Sequence, residues 1–419
     1  MTENDRIEYN WIPNVEYLSR YAPGGYHPIM VGDVLHGRYH IADKLGSGGY
    51  STVWLARDTH ANRYVALKVN IADSNSRETG ILKALSTPPS SPSLAHPGYD
   101  LVPHLLDEFK VDGPNGTHTC YTVAPAQGNL RDIGFSRLFP LDVARALSYR
   151  LVQAVAYLHS KGYAHGDIHL SNILVRLPST FDDLSIEELY EKYGKPETVP
   201  ITRCDGQPLT PNIPSEAVGV LWLGKSARDF TLSDTHLILS DFGEAFSPAL
   251  KTKLGRQCCT PFAFRAPEAT FEPQAPLSYP SDIWSLATAI WDIVGMQTVF
   301  SADYLEEDEV LSQHIDVLGP MPSDWWQRWE GKSRFFDESG HSTKYHKRNK
   351  WYPLDQSFET QVQKWRREDA DEMQEDEKIA FLNMMRQMLM FRPEERLTVE
   401  QVLESEWMVK WALPDYQRS

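Results

Sequence analysis

The chain has little cysteine. Only four of its 419 residues are Cys (Cys120, Cys204, Cys258 and Cys259), and their spacing fits neither a metal knuckle nor a disulfide framework. That excludes a small disulfide-stapled scaffold and points to a reducing compartment. Positive charge is also scarce. Against 57 Asp and Glu stand 41 Lys and Arg, a formal net charge of −16. Such a surface argues against direct contact with nucleic acid and is compatible with a basic protein partner. No apolar run approaches the roughly 18 residues of a membrane span, so no membrane association is expected. The opening MTENDRIEYN lacks the basic and apolar stretches of a signal peptide. A soluble protein of the cytoplasm, the nucleus or both is expected.

Aromatic residues, by contrast, are plentiful: 12 Trp, 19 Tyr and 16 Phe, with 41% of residues hydrophobic. That composition belongs to a globular chain with a substantial core, not to a disordered one. Apolar residues recur at Val143, Leu147, Leu151, Val155 and Leu158, which predicts a helix from Leu141 to Gly162. The octet His165-Gly166-Asp167-Ile168-His169-Leu170-Ser171-Asn172 follows at once. An Asp followed five residues later by an Asn is a pairing suited to phosphoryl transfer. The carboxylate can take the proton of an attacking hydroxyl, and the carboxamide oxygen can hold a magnesium ion.

Upstream, β-formers flank the cluster Gly46-Ser47-Gly48-Gly49, and Val53 follows, which reads as a hairpin. Gly46 and Gly48 let backbone amides lie close to phosphates. The bland alternative is a plain Gly-rich turn. The next strand, Tyr64 to Val69, holds Lys68 inside an apolar run with Ala66. An unpaired ammonium there would be costly, so Lys68 needs an anion, either phosphate or carboxylate. Glu78, on a short helix over 76–85, is the carboxylate that fits, although an exposed Glu78 is the alternative. Residues 86–97 are rich in Pro and Ser and read as a loop. Residues 177–235 contain six Pro and read as a partly irregular insertion, with one short helix at 184–192. A strand at 237–240 then leads into Asp241-Phe242-Gly243, and Ala266-Pro267-Glu268 begins twenty-five residues after Asp241. Ser281-Asp282-Ile283-Trp284-Ser285 opens an apolar helix. Arg392 and Arg396 precede Leu397-Thr398 near the end.

Glycine loop, strand Lys, Asp with Asn, D-F-G, A-P-E, S-D-I-W-S and a late R-x-x-x-R-L-T stand in the order found in eukaryotic protein kinases. From about residue 39 to 408 the chain resembles that family. Within it the chain is similar to the CMGC group and its serine/arginine-protein kinase branch. Gly24-Gly25-Tyr26-His27-Pro28, Gly37-Arg38-Tyr39-His40 and Arg265 before A-P-E carry that closer likeness. The resemblance implies an α+β bilobal kinase fold. Residues 1–38 would be an extension, 39–124 a β-rich N-lobe and 125–413 a mainly helical C-lobe. The insertion 177–235 would sit in the place of that branch's spacer, and 297–375 in the group's own insertion region.

The resemblance also implies roles. ATP and magnesium would be the cofactors. Gly46, Ser47, Gly48 and Gly49 would cover the phosphates. Lys68, paired with Glu78, would hold them. Val53, Ala66, Ala124 and Ala126 would surround the adenine, with Val123 as gatekeeper. Asp167 would be the catalytic base, assisted by Lys68 and His169, while Asn172 and Asp241 would bind the metal. Asp282 would brace the catalytic loop, and Glu268 with Arg396 would form a buried structural pair. The substrate would be a protein, basic and Arg/Ser-rich, and the enzyme a monomeric serine/threonine kinase.

Two departures bear on activity. Gly166 stands where the family has Arg, which normally pairs with an activation-loop phosphate. Control through a phosphate on Thr260 is therefore not expected. His169 stands where the family has Lys, and a neutral imidazole supplies less charge to a transition state. A reduced rate is the expectation. Two alternatives stay open: a pseudokinase scaffold, and a small-molecule phosphotransferase of the aminoglycoside and choline type, whose catalytic loop resembles H-G-D-x-H-x-x-N. The acidic run Glu306 to Glu309 reads either as a docking site for Arg-rich substrate or as a solvated helix face.

Overall fold

The computed structural model describes residues 7–74, 77–88, 96–135, 138–295, 297–301, 306–337, 340, 351–368 and 371–419. The chain divides into two compact units. One comprises Met1–Pro88, Pro103–Gly128 and Arg176–Gly224, and the other Pro89–Val102, Asn129–Val175 and Lys225–Ser419. Most of the expected loop at 86–97 lies outside the described residues.

The first unit is built on an antiparallel sheet of six strands. These are β1 (Val34–Leu35), β2 (Tyr39–Gly48), β3 (Ser51–Asp58), β4 (Arg63–Asn70), β5 (Asp107–Gly113) and β6 (Gly116–Val123), in the order β1-β2-β3-β4-β6-β5. Buried Ile41, Trp54, Val65, Leu67, Phe109 and Cys120 make its core. Strand β4 is central, which is why its sequence reads as a nearly continuous apolar run. Strands β2 and β3 join through the two residues Gly49 and Tyr50. Strand β2 slips register twice against β3, between Ile41 and Asp43 and between Lys44 and Gly46. Such bulges leave ladder groups unpaired and bend the strand.

The insertion supplies partners for those groups. The Tyr190 hydroxyl donates to the Ala42 carbonyl at 2.7 Å, and the Leu221 amide to the Lys44 carbonyl at 2.8 Å. Asp182 accepts from the Tyr64 amide at 2.7 Å, and the Arg57 guanidinium donates to the Asp182 carbonyl at 2.8 Å. The helix Ile186–Tyr193, capped by Ser185 and Glu188, buries Leu189 in a cluster with Ala42, Leu55, Tyr64 and Phe181. The sequence reading put residues 177–235 within the C-lobe. Instead, Arg176–Gly224 belongs to the first unit. Its scattered apolar residues fill gaps against that unit's strands rather than forming a hydrophobic period of their own.

His27 and His118 lie ring to ring at 4.8 Å in the same unit. Burial pushes both imidazoles down, His27 to about 4, with the neighbouring His118 adding to the effect and Asp33 opposing it. The unfolded chain takes up a proton near pH 6.5 that the folded unit refuses, so this contribution to stability falls as pH drops from about 6.5 toward about 4. Thermal melts at pH 7 and pH 5 should show the loss, and His27→Asn should reduce the difference between them.

The second unit packs helices Leu141–Ser160 and Tyr279–Val294 against each other. Leu147, Leu151, Val155, Trp284, Ile290 and Trp291 are among its fully buried residues. The first helix ends at Gly162, whose φ of +82° suits glycine. The Gly162 amide donates to the His159 carbonyl at 2.9 Å, and the Tyr163 amide to the Leu158 carbonyl at 3.1 Å. This tight C-terminal stop turns the chain directly into the octet.

Candidate active site

In the first unit, the sheet register lines up Gly46, Val53, Lys68 and Tyr121 in one row across β2, β3, β4 and β6. Residues directly opposite on neighbouring strands share a face, so Val53 and Lys68 present their side chains together. Lys68 Nζ lies 2.9 and 3.0 Å from the two Glu78 carboxylate oxygens. Glu78 sits in the first turn of the helix Arg77–Leu85 and is buried. That geometry gives the buried-strand ammonium its carboxylate. Ala66 is buried opposite Val123, Ala124 is exposed, and Ala126 is half-buried. A Cβ on Gly46 or Gly48 would meet nothing within 4 Å, and neither has a positive φ. The fold therefore does not itself require glycine at either position.

In the second unit, the octet is held from several sides. Asp282, on the helix Tyr279–Val294, accepts the His165 amide at 2.7 Å and the Gly166 amide at 2.8 Å, and pairs with His159 at 2.9 Å. Burial pushes the Asp282 carboxyl up, but the hydrogen bond and charge of His159 outweigh it, and the group sits below its ordinary range. His165 is fully buried between the Ser240 carbonyl, 3.0 Å from Nε2, and the Asp167 amide, 3.3 Å from Nδ1. Burial pushes its imidazole down, which suits a neutral ring that donates through one nitrogen and accepts through the other.

Around Asp167 the contacts are unequal. Asn172 Nδ2 donates to the Asp167 carbonyl at 2.9 Å and to Oδ2 at 3.1 Å. His169 Nε2 lies 3.4 Å from the same Oδ2 and 3.2 Å from Asn172 Nδ2. Oδ1 is buried and has no hydrogen-bond partner among the described residues. A buried carboxylate oxygen left unpaired is costly. With Nδ2 turned to Asp167, the Asn172 carboxamide oxygen points the other way. The strand Leu237–Leu239 pairs with Ile173–Val175, and the Ser240 amide and hydroxyl both donate to the Asn172 carbonyl, at 2.8 and 2.9 Å. This pairing brings Asp241 next to Asn172. Asp241 has the left-handed backbone φ of +63°, and Phe242 beyond it packs on His165 at 5.1 Å. Two oxygen donors on adjacent strand ends fit a hard divalent cation such as magnesium.

The departures from the family pattern have local causes. Gly166 has φ +74°, and a Cβ there would stand 3.1 Å from the Glu244 carbonyl and 3.4 Å from Lys253 Nζ. Lys253 donates to the Glu244 carbonyl at 2.9 Å and to its carboxylate at 2.7 Å. An ion pair within the chain thus fills the space beside residue 166. Thr260 is 3% exposed and its hydroxyl donates to the Gly166 carbonyl at 2.7 Å, a poor position for a phosphate. His169 stacks on Phe264 at 5.4 Å.

The sequence fits the protein kinase domain family over residues 39–184 and 230–408. The chain belongs to the protein kinases. A serine/threonine protein kinase of Aspergillus fumigatus is 28% identical over 412 residues, covering 94% of this chain and 90% of that one. A serine/threonine-protein kinase SRPK of Physarum polycephalum is 27% identical, covering 93% of this chain and 90% of its own. Human SRSF protein kinase 3 is 35% identical over 162 residues, 37% of this chain and 28% of its own. A kinase domain solved by crystallography superimposes with a TM-score of 0.61 at 16% identity, covering 91% of this chain and 98% of that one, so the fold is the kinase fold. The match to the protein kinase domain includes the A-P-E segment and the late Arg, which the small-molecule phosphotransferases lack.

Sequence reasoning missed one further feature of this kinase. Beside His169 opens a cavity of about 610 Å³, lined by Phe135, Trp351, Trp365 and Asp292 among others. Asp292 Oδ1 is buried without a hydrogen-bond partner among the described residues. Burial pushes its carboxyl well up, with Arg131 pulling it down. The available signal was an acid, Asp292, in the otherwise apolar second half of the helix Tyr279–Val294. The acidic run is partly engaged within its own unit. Glu306 and Glu309 cap the helix Glu307–Leu318 reciprocally, Arg334 pairs with Glu306 at 3.0 Å and Asp308 at 3.3 Å, and Glu307 accepts from Thr270 at 2.5 Å. Much of its charge is spent within the unit, at a helix N-terminus where it is favourable.

Proposed function

We propose that this kinase transfers the γ-phosphate of ATP to Ser or Thr hydroxyls in Arg-rich proteins. The observation that carries the substrate class is the Asp292 cavity beside His169. It sets the half-buried Asp292 carboxyl, with Arg131 nearby, among indole walls; a guanidinium pairs with a carboxyl group and stacks on aromatic faces, and its charge would favour the ionised form of the acid. The names of the SRSF and SRPK relatives agree with it. In the proposed reaction Lys68, oriented by Glu78, holds the α- and β-phosphates, and Gly46 and Gly48 give their amides room to approach. Asp167 receives the proton of the substrate hydroxyl on its carboxylate. His169 donates one hydrogen bond toward the transferred group, less than a lysine charge would supply. Magnesium, held by Asn172 and Asp241 when bound, neutralises the phosphate charge. Retention of all four polar groups, with Lys68 paired and Asp167 held, favours an enzyme over a scaffold.

Incubation with ATP, magnesium and an Arg-Ser repeat peptide tests the reading. Phosphate transfer to serine is expected. No transfer together with no ATP-dependent thermal shift would sink it. Asp292→Asn should raise the peptide KM about tenfold or more, as loss of a charge-assisted hydrogen bond does. The ATP KM should not move, and an unchanged peptide KM would remove Asp292 from substrate recognition.

A further inference from the structure

The Gly24-Gly25-Tyr26 stretch and the insertion have no part in the reaction just described. Both lie in the first unit, and they meet. Tyr26 is 1% exposed, and its hydroxyl donates to the Gly48 carbonyl at 2.7 Å. The Arg20 guanidinium lies over the Tyr26 ring at 5.4 Å and over the exposed Tyr50 ring at 5.7 Å. One side chain from the N-terminal segment thus grips the glycine loop by its backbone, and a second covers the tip.

The grip is itself anchored. A Cβ on Gly25 would fall 1.8 Å from the Arg20 carbonyl, and one on Gly24 would fall 2.2 Å from the Asp73 carboxylate. Gly25 lets the segment's own turn close on the Arg20 carbonyl, and Gly24, at φ +87°, lies against the chain leaving β4, where the Ala72 and Asp73 amides donate to the Gly25 and Gly24 carbonyls at 3.1 Å each. Buried Asn115 donates to the Tyr26 carbonyl at 2.6 Å and to the Asn212 carbonyl at 2.7 Å, and accepts from Asn212 Nδ2 at 2.6 Å. The insertion's Ile201 and Ile213 pack with Leu18, Tyr21 and Ile71 around Tyr26. The N-terminal segment, the β5–β6 turn and the insertion therefore form one block with Tyr26 at its working end.

We infer that this block is a brace that holds the glycine loop in its nucleotide-binding position, with Tyr26 as the positioning residue. Three glycines in four residues make Gly46–Gly49 a costly segment to order on binding, because glycine loses the most backbone freedom. A brace removes part of that cost before the nucleotide arrives, which favours binding without changing the chemical step. The inference rests on the ATP reading above and assigns the insertion a role within it.

Tyr26→Phe keeps the ring, its packing and the Arg20 guanidinium over its face, and deletes the hydroxyl with its hydrogen bonds to the Gly48 carbonyl and from Arg20. Amide exchange at 46–50, measured without nucleotide, should speed up. The ATP KM should rise about three- to tenfold, the span of one net hydrogen bond. The kcat at saturating ATP and the peptide KM should stay as they are. Asn212→Ala should move the ATP KM the same way by a smaller factor, reporting the insertion's share. Unchanged exchange, or faster exchange with an unchanged ATP KM, overturns the brace. If the parent chain neither binds nor hydrolyses ATP, the kinase reading fails instead, and the nucleotide role of the brace fails with it. The exchange rates still show whether Tyr26 holds the loop.

Discussion

Asp167→Asn should lower kcat by about a hundredfold to ten-thousandfold, the usual worth of a positioned general base, while the chain stays folded. The geometry explains both halves. Asp167 contributes little to stability: Oδ2 has one hydrogen bond from Asn172 and a long contact with His169, and Oδ1 has none among the described residues. An amide oxygen in place of Oδ2 can still accept from Asn172, so the loop keeps its shape. The exchanged group can no longer take up a proton. Single-turnover assays and thermal melts check this together. The expected pattern is an unchanged melting temperature, ATP and peptide KM values within about twofold, and a collapsed rate. Residual activity above a tenth would mean that another group receives the proton.

How far the sequence alone reached can be judged from particular residues. The helix Leu141–Ser160 was legible because its large apolar residues keep the helical period, and in the fold it is buried on nearly every side. Lys68 was legible because a charge inside an apolar strand needs a partner, and Glu78 was the acid within reach. The octet was legible as chemistry because its spacing follows the short loop that presents Asp167 and Asn172 together. What stayed hidden depends on partners far away in the chain. The two bulges in β2 are matched by Tyr190 and Leu221, almost 150 and 180 residues downstream. No local pattern announces them, so the insertion read as an interruption when it in fact fills those gaps. Tyr26 was visible as part of the Gly24–Pro28 stretch that carries the closer likeness, but its contact with Gly48 was not. Glu306 and Asp308 read as open charge because Arg334, which pairs with both, lies over twenty residues later. Asp292 was visible as an anomaly, but only the cavity beside it gives the anomaly a use.

Arg396→Met should destabilise the second unit by about 3–5 kcal/mol, the cost of leaving a buried carboxylate without its partner. All five guanidinium donors of Arg396 are used. They reach both Glu268 carboxylate oxygens at 2.8 and 2.6 Å, and the carbonyls of Met390, Pro280 and Phe391 at 2.7 to 2.9 Å. The side chain is 0% exposed and lies over the Trp284 ring at 5.1 Å. Lysine cannot reproduce this fork, so Arg396→Lys should lose most of the same stability. Glu268→Leu combined with Arg396→Met should recover part of the loss, since removing both charges avoids the unpaired one. Denaturant melts of the two single variants and the double variant measure the coupling. Additive losses would show that the pair is not the source. Activity should fall with stability in this series, because Glu268 ends the segment that carries Thr260 against Gly166 and Phe264 against His169. Arg396→Met should therefore lower both melting temperature and rate, whereas Asp167→Asn lowers the rate alone. Equal melting temperatures for the two variants would mean that the anchor at Glu268 and the proton acceptor at Asp167 are not separable in the way their contacts imply.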